Sequence, residues 1–287
     1  MRAIASALVK TGVMMFPTDK SIQPIELAKA VEERGFGSLW FPEHSHIPSS
    51  RKTPWGGFKD MPPLPEEYWR SIDLFVALTA AAAVTTNLEL GSGICLAAQR
   101  DPLWMAKEVA SLDHVSGGRF NFGIGYGWNK EEMANHGLAY NQRRAILREN
   151  ILACKAAWTE EEFSYKGEHL DIEPSWSWPK PAQKPHPPIL MGGNPGPKTL
   201  ADMAEFCDGW LPNASGYKIM DKLPEVKAAF DEAGRGDVFR WGAFGVRGRK
   251  EDLERMEEAG AEWAVIGLPP APADDILPRL DRYAELL

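Results

Sequence analysis

The stretch AVEERGFGSLWFPEH, Ala30–His44, carries the unit from which we predict the whole fold. It begins with the end of an amphipathic helix, and Gly35 follows where a left-handed helix cap favours glycine. The apolar run Ser38–Phe41 then has the length of a short buried strand, and it leads into the polar pair Glu43-His44. A helix that passes through a short loop into a buried strand is typical of a βαβ unit.

The same alternation runs from one end of the chain to the other. Eight apolar runs predict strands at Gly12–Phe16, Ser38–Phe41, Leu88–Leu96, Phe120–Ile124, Pro188–Met191, Gly209–Leu211, Phe239–Gly245 and Trp263–Ile266. Eight amphipathic segments predict helices at Ile22–Arg34, Ile72–Thr86, Leu103–Val115, Gln142–Trp158, Lys198–Phe206, Lys218–Ala233, Glu251–Ala259 and Asp275–Leu286. This pattern in 287 residues predicts one α/β domain, residues 1–287, folded as a (β/α)8 TIM barrel.

Two stretches interrupt the alternation. Pro48–Glu67 is rich in Pro and Gly and has no helical period. Glu161–Pro187 predicts a hairpin, with strands Phe163–Tyr165 and Leu170–Ile172, followed by a loop rich in Trp and Pro. Loops this long in a compact domain usually cover a binding site. We therefore expect both insertions at the C-terminal rim of the barrel.

Charge and cysteine content narrow the class of protein. The chain has 40 acidic and 32 basic side chains, a net charge of −8, so neither nucleic acid nor an anionic membrane is expected as a main partner. Cys95, Cys154 and Cys207 contain no CxxC pair, which favours buried thiols over a disulfide or zinc framework. Met1–Phe16 is too polar for a secretory signal, and no apolar run reaches the roughly 18 residues of a membrane span, so we predict a cytoplasmic protein.

The densest chemistry follows the second predicted strand. In a (β/α)8 barrel the active site lies at the C-terminal ends of the strands. His44 can there donate a hydrogen bond or move a proton near neutral pH, and Glu43 can orient it or bind a polar cofactor edge. His46 is a second candidate. Either histidine could instead be packed inside a loop.

Glycines at three strand ends indicate a ligand that approaches the backbone. Gly91 and Gly93 fit a bulge on which a flat ring stacks, although a bulge that only closes the barrel has the same pattern. The fourth strand ends in Gly125-Tyr126-Gly127-Trp128-Asn129, which lacks the spacing of the dinucleotide fingerprint. The fifth ends in Gly192-Gly193-Asn194 just before a helix, which suits either a phosphate site or a plain turn.

Two other enzyme classes stay open at this point. His44-x-His46 resembles the first metal ligands of barrel hydrolases, but no acidic residue follows the eighth strand to complete such a site. Glycosidases need two carboxylates across a groove, and Glu43, Glu131 and Glu132 are the available candidates.

A series of short motifs then gives a family resemblance over nearly the whole chain. They are Ala30–Phe36, Leu39–His44, Leu90–Ile94, Leu112–Arg119, Gly123–Trp128, Tyr165–Glu168, Gly192-Gly193 and Cys207–Trp210. In this order they resemble the bacterial luciferase-like monooxygenase superfamily, most closely its branch of oxidoreductases that depend on coenzyme F420, a deazaflavin.

The resemblance implies a homodimeric barrel whose cofactor ring packs on a bulge at Ser92-Gly93-Ile94, often with a non-prolyl cis peptide. It implies phosphate contacts at Gly125–Asn129 and Gly192–Asn194, and an acid–histidine pair near the ring at Glu43 and His44. Trp128 and Asn129 stand where some deazaflavin dehydrogenases carry a carboxylate, which argues against a sugar-phosphate dehydrogenase.

The implied activity is hydride transfer between F420 and a small organic substrate, with His44 handling the paired proton. Trp40, Trp128, Trp176 and His46 are the predicted walls of the substrate pocket. One alternative is an FMN-dependent two-component monooxygenase, which uses oxygen and needs a flavin reductase as partner. Another is a non-catalytic protein that binds a flavin or deazaflavin.

Overall fold

The computed structural model describes residues 9–214 and 218–287, so residues 1–8 of the segment discussed for a signal lie outside it. The strands are β1 (Lys10–Met14), β2 (Ser38–Phe41), β3 (Glu89–Ser92), β4 (Phe120–Ile124), β5 (Phe163–Lys166), β6 (Asp171–Ser175), β7 (Ile189–Met191), β8 (Gly209–Trp210), β9 (Arg240–Val246) and β10 (Trp263–Gly267). The helices are α1 (Pro24–Glu33), α2 (Glu67–Arg70), α3 (Leu74–Ala82), α4 (Pro102–Ser116), α5 (Lys130–Asn135), α6 (Arg143–Thr159), α7 (Pro197–Phe206), α8 (Ile219–Glu232), α9 (Lys250–Glu258) and α10 (Ala273–Ala284). Single 3-10 turns cover Trp55–Gly57 and Tyr140–Gln142.

Eight of these strands close into one parallel barrel, in the order β1-β2-β3-β4-β7-β8-β9-β10. The ring closes because β1 pairs in parallel with β2 on one side and with β10 on the other. β5 and β6 form a separate antiparallel hairpin between α6 and β7. The predicted (β/α)8 barrel is confirmed. Within the described ranges, no helix has the length and apolar character needed to cross a membrane.

The boundaries differ from prediction where the sequence lacks a periodic signal. The second and fourth predicted strands match β2 and β4 residue for residue. The third ends at Ser92 rather than Leu96, because the chain leaves the ladder after Ser92 and returns only in a single bridge between Cys95 and Ile124. Helices α2 and α5 were not predicted, since four and six residues are too few to show a helical period.

Two tryptophans fill the inside of the barrel. Trp40 and Trp263 are fully buried, with ring centroids 5.8 Å apart in an edge-to-face contact. The indole N–H of Trp40 donates to Ser38 Oγ at 2.8 Å. That of Trp263 donates to Glu89 Oε2 at 2.7 Å, so neither indole leaves an unpaired donor. Because the barrel interior is packed in this way by described residues, ligand space within the barrel lies above it, at the strand ends.

Gly91 is required by this packing, which gives a first prediction. A Cβ on Gly91 would lie 2.0 Å from Cε3 of Trp40, so Gly91→Ala should lower the free energy of unfolding by about 1–3 kcal/mol. The matched control is Gly267→Ala in β10, where no atom lies within 4 Å of the added Cβ. Denaturant unfolding followed by tryptophan fluorescence measures both. A Gly91→Ala protein as stable as the control would contradict the packing described.

Candidate active site at the mouth of the barrel

A cavity of about 560 Å³ opens at the C-terminal ends of the barrel strands. Ten of the predicted site residues line it, contributed by the ends of four different strands. They are Glu43, His44, Gly93, Ile94, Gly125, Tyr126, Gly127, Trp128, Gly192 and Gly193. The volume lies in the range of small-molecule and cofactor sites.

Ile94 lines the bottom of the cavity at the irregular end of β3. The peptide bond between Gly93 and Ile94 is cis, as the resemblance implied. A Cβ on Gly125 would lie 1.9 Å from Cδ1 of Ile94, and a Cβ on Gly192 would lie 3.1 Å from the same atom. The isoleucine side chain therefore lies against the bare backbone that follows β4 and β7, and it gives the cavity an apolar floor.

His44 is held by a buried carboxylate that the sequence did not single out as its partner. Its Nδ1 lies 2.8 Å from Oε2 of Glu132, and the two side chains are 5% and 0% exposed. Glu132 reaches this position because α5 begins there, with Asn129 as N-cap accepting hydrogen bonds from the N–H groups of Glu131 and Glu132. The remaining ring nitrogen of His44, Nε2, has no hydrogen-bond partner among the described residues. A histidine oriented through one nitrogen can exchange a proton through the other.

Glu43 is tied to the loop after β3 instead of pairing with His44. One carboxylate oxygen accepts the backbone N–H of Leu96 at 2.7 Å, and the other accepts Nε of Arg100 at 2.6 Å. Arg100 also pairs with Asp73 at 3.1 Å and Glu108 at 2.9 Å. Burial alone would lower the pKa of Arg100, but the negative charges of Glu43 and Glu108 outweigh burial and raise the pKa above its usual value. Glu43 thus anchors a loop, and the predicted Glu43–His44 pair is replaced by Glu132–His44.

Of the four predicted walls of the substrate pocket, Trp128 lines the cavity and the other three lie away from it. Trp40 is fully buried in the barrel interior, where it packs on Trp263. Trp176 is 76% exposed and follows the β5–β6 hairpin. His46 is turned outward, with Nδ1 2.9 Å from Ser45 Oγ and Nε2 2.9 Å from Asn135 Nδ2. No cluster of three metal-ligating side chains occurs in the part of the chain that the structure describes, so His44 and His46 share no metal site there.

Three of the predicted cofactor residues also do not line the cavity. Ser92 is buried and its Oγ donates to the carbonyl of Gly123 at 2.8 Å. Asn129 is buried as the cap of α5. Asn194 is exposed in the turn before α7. These residues shape the strand ends on which the cavity depends.

Tyr126 contributes its ring to the cavity, while its hydroxyl is engaged elsewhere. The hydroxyl donates to Asp202 of α7, which also pairs with Arg144. Burial, and then the neighbouring carboxylate, raise the pKa of the Tyr126 phenol. The phenol therefore stays protonated and serves as a wall of the cavity.

Tyr68, whose aromatic ring packs beside His44, was missed by sequence analysis. Tyr68 lies in α2, directly after the Pro- and Gly-rich loop, and the centroid of its ring is 5.1 Å from that of His44 and 4.7 Å from that of Phe16. The indole of Trp128 lies 5.7 Å from His44 on another side. Phe58, from the loop itself, also lines the cavity. Trp128 was predicted as a wall of the pocket, whereas the only sequence signal for Tyr68 and Phe58 was the long loop at residues 48–67.

That loop is fastened to α5 by Glu131. Its Oε1 accepts the backbone N–H groups of Lys52 at 3.0 Å and Thr53 at 3.2 Å. Burial alone would raise the pKa of Glu131, but the contacts with Thr53 and Lys52 outweigh burial and lower the pKa to about 2. The ionised carboxylate thus holds the loop beside the cavity.

Fold and site together define a (β/α)8 barrel with a ligand-sized cavity where its strands end. The sequence profile of the luciferase-like monooxygenase family matches residues 15–285. The chain therefore belongs to the luciferase-like monooxygenase family, whose members are oxidoreductases and monooxygenases.

Two relatives and two solved structures illustrate the range of this likeness. An uncharacterised protein of Mycobacterium bovis is 36% identical over 278 residues, covering 96% of this chain and 98% of its own length. A 5,10-methylenetetrahydromethanopterin reductase of Methanopyrus kandleri is 26% identical over 286 residues, covering 92% of this chain and 73% of the reductase. An F420-dependent secondary alcohol dehydrogenase, solved with an F420–acetone adduct, matches with a TM-score of 0.74 at 16% identity over 98% of both chains. The FMN-bound oxygenating constituent of 3,6-diketocamphane monooxygenase from Pseudomonas putida gives 0.64 at 18% identity, over 83% of this chain and 67% of that one.

The lowered pKa of Glu131 gives a second prediction. A carboxyl group whose pKa falls from 4.5 to about 2 on folding stabilises the folded loop above about pH 4.5, and it loses this effect as the pH falls toward 2. Glu131→Gln should therefore speed amide hydrogen exchange at residues 52–58 at neutral pH, compared as protection factors. In the wild-type protein, the protection of these amides should fall toward that of Glu131→Gln only when the pH is lowered below about 4.5.

The control variant is Glu161→Gln, which changes an exposed carboxylate next to the hairpin. It should leave protection at residues 52–58 unchanged. Equal protection in wild-type and Glu131→Gln proteins at neutral pH would mean that the carboxylate does not hold the loop.

Proposed function

We propose that this protein is an F420-dependent oxidoreductase that transfers a hydride between the deazaflavin and a small organic substrate. The observation that carries the proposal is the buried Glu132–His44 pair beside a cavity with a glycine wall and an apolar floor. When bound, the deazaflavin supplies the carbon that accepts or donates the hydride.

The residues of the cavity fit such a group. The ring would lie against Ile94, whose side chain covers the bare backbone at Gly125 and Gly192. At Gly193, by contrast, the position of a Cβ is open space, so backbone there is accessible from the cavity. A buried guanidinium nitrogen of Arg143, which has no partner among the described residues, would suit the charged part of the cofactor.

His44 would handle the proton that accompanies hydride transfer. The Glu132 carboxylate accepts a hydrogen bond from Nδ1 in the tautomer that carries its proton there, which leaves Nε2 to take or give a proton at the substrate heteroatom. Both side chains are shielded from water, so this contact fixes the orientation of the imidazole ring. Tyr68 and Trp128 pack on the imidazole and limit the access of water to it.

The comparisons support this proposal without deciding the cofactor. An alcohol dehydrogenase with the same fold uses F420, and this supports hydride chemistry at the barrel mouth. The FMN-bound neighbour supports the main alternative, an oxygen-using monooxygenase with a separate flavin reductase. The homodimer expected from the resemblance stays a prediction, as does the alternative of a non-catalytic binding protein.

A binding experiment separates the two cofactors. Apo-protein is titrated with oxidised F420 and, separately, with FMN, and the cofactor fluorescence is followed. We expect F420 to bind at least about tenfold more tightly than FMN, which corresponds to about 1.4 kcal/mol. A preference for FMN would replace the proposal with the monooxygenase, and binding of neither would remove both.

Substitution of His44 tests the proton step. His44→Asn should keep the F420 dissociation constant within about twofold and slow hydride transfer by about 10²–10⁴-fold. The readout is reoxidation of reduced F420 across a panel of small carbonyl compounds. His46→Asn is the matched control, because that side chain faces away from the cavity. If both variants react at the same rate, His44 has no part in proton transfer.

A further inference from the structure

Arg143 places an unsatisfied cation in the wall of the main cavity. It is the first residue of α6 and lines the cavity together with Tyr140. Its guanidinium carbon lies 3.7 Å from the centre of the Tyr140 ring, and one of its terminal nitrogens donates to the Tyr140 carbonyl at 2.7 Å. The side chain is therefore held in place by contacts that do not neutralise its charge.

Arg143 has no carboxylate partner among the described residues, unlike two other arginines of the same helix. Arg144 pairs with Asp202, and Arg148 pairs with Glu205. Arg143 forms no ion pair with any described residue, and its Nε is shielded from solvent without an acceptor. The guanidinium of an arginine that lines a cavity without a carboxylate partner is a suitable donor for an anionic group of a ligand.

The surroundings of Arg143 favour an anion. Lys130 lies 5.1 Å from the same Tyr140 ring and forms no ion pair within the described ranges. Glu131, which is adjacent to Lys130 in sequence, accepts the N–H groups of Lys52 and Thr53. Within a chain of net charge −8, this corner of the cavity is thus positive. A planar guanidinium matches phosphate oxygens in geometry as well as in charge.

We infer that Arg143 binds the phosphate of the cofactor, the group that follows its ribityl chain, an inference that rests on the proposed cofactor-binding function. The sequence pointed to the glycines after β4 and β7 for this role. Those glycines line the same cavity as Arg143. The protein backbone would therefore border the ribityl chain of the cofactor, and Arg143 would supply the positive charge that binds its phosphate.

The test compares three ligands. F420 carries the phosphate and, beyond it, a lactyl-glutamyl tail. 8-Hydroxy-5-deazariboflavin 5′-phosphate carries the phosphate alone, and 8-hydroxy-5-deazariboflavin has the same ring and ribityl chain with neither group. Fluorescence titrations are made with wild-type protein, Arg143→Gln, Arg143→Lys and, as matched control, Arg148→Gln. Thermal unfolding of each variant confirms that it is folded before its binding is interpreted.

Arg143→Gln should weaken F420 binding about 10- to 100-fold, the loss expected for charge-assisted hydrogen bonds. Binding of the phosphate-free ligand should stay within about twofold, Arg143→Lys should recover part of the loss, and Arg148→Gln should behave as wild type. Equal weakening of all three ligands, weakening of F420 but not of the 5′-phosphate, or unchanged F420 binding would overturn the inference.

The same design separates failure of this inference from failure of the proposed function. If wild-type protein binds FMN in place of F420, the deazaflavin proposal fails. Arg143 is then judged by FMN against riboflavin, which again differ in the phosphate. If wild-type protein binds none of these ligands, both the function and the role of Arg143 are wrong.

Discussion

The contact between Ile94 and the bare backbone at Gly125 and Gly192 is the constraint on which the rest of the site depends. It joins the ends of β3, β4 and β7, three neighbouring strands of the barrel. A Cβ on Gly125 would overlap Cδ1 of Ile94, and a Cβ on Gly192 would lie in tight contact with the same atom at 3.1 Å, so the floor requires glycine at residue 125 and favours it at residue 192. Below it, Trp40 and Trp263 fill the barrel and keep ligand space at the rim. The cavity is thus bounded from beneath by packing and open only toward the loops.

Above this floor, the acidic side chains are divided among separate tasks. Glu43 binds Arg100 and the loop after β3, Glu131 holds the loop at residues 48–67, and Glu132 orients His44. Each carboxylate therefore holds a group of the protein, while Oε2 of Glu131 and Oε1 of Glu132 are buried without a partner among the described residues. This division explains how a chain with an excess of acidic residues keeps a positive corner at Arg143 beside an imidazole whose second nitrogen is unpaired.

Burial sets the strength of these interactions. The Glu132–His44 pair is almost fully shielded, so its electrostatic coupling is stronger than that of a surface pair, and loss of either partner would leave an uncompensated polar group. Exposed pairs such as Arg148–Glu205 contribute little to stability and are easily replaced. The candidate site accordingly depends on a few shielded contacts at the strand ends, whereas exposed ion pairs on the surface contribute little to it.

The sequence by itself determined the barrel, the inserted hairpin and the strand ends that carry the glycines and His44, because periodicity, glycine placement and strand length are local properties of the chain. Only the tertiary structure decided that His44 meets Glu132, 88 residues away, rather than the adjacent Glu43. It also decided that Trp40 points into the barrel interior, that Trp176 lies in solvent, and that Arg143 reaches the cavity without a partner. The positions of Glu132 and Arg143 depend on α5 and on the 3-10 turn before α6, which are too short to leave a periodic signal in the sequence. The positions of Trp40 and Trp176 depend on how distant parts of the chain pack together, which the order of the residues does not contain.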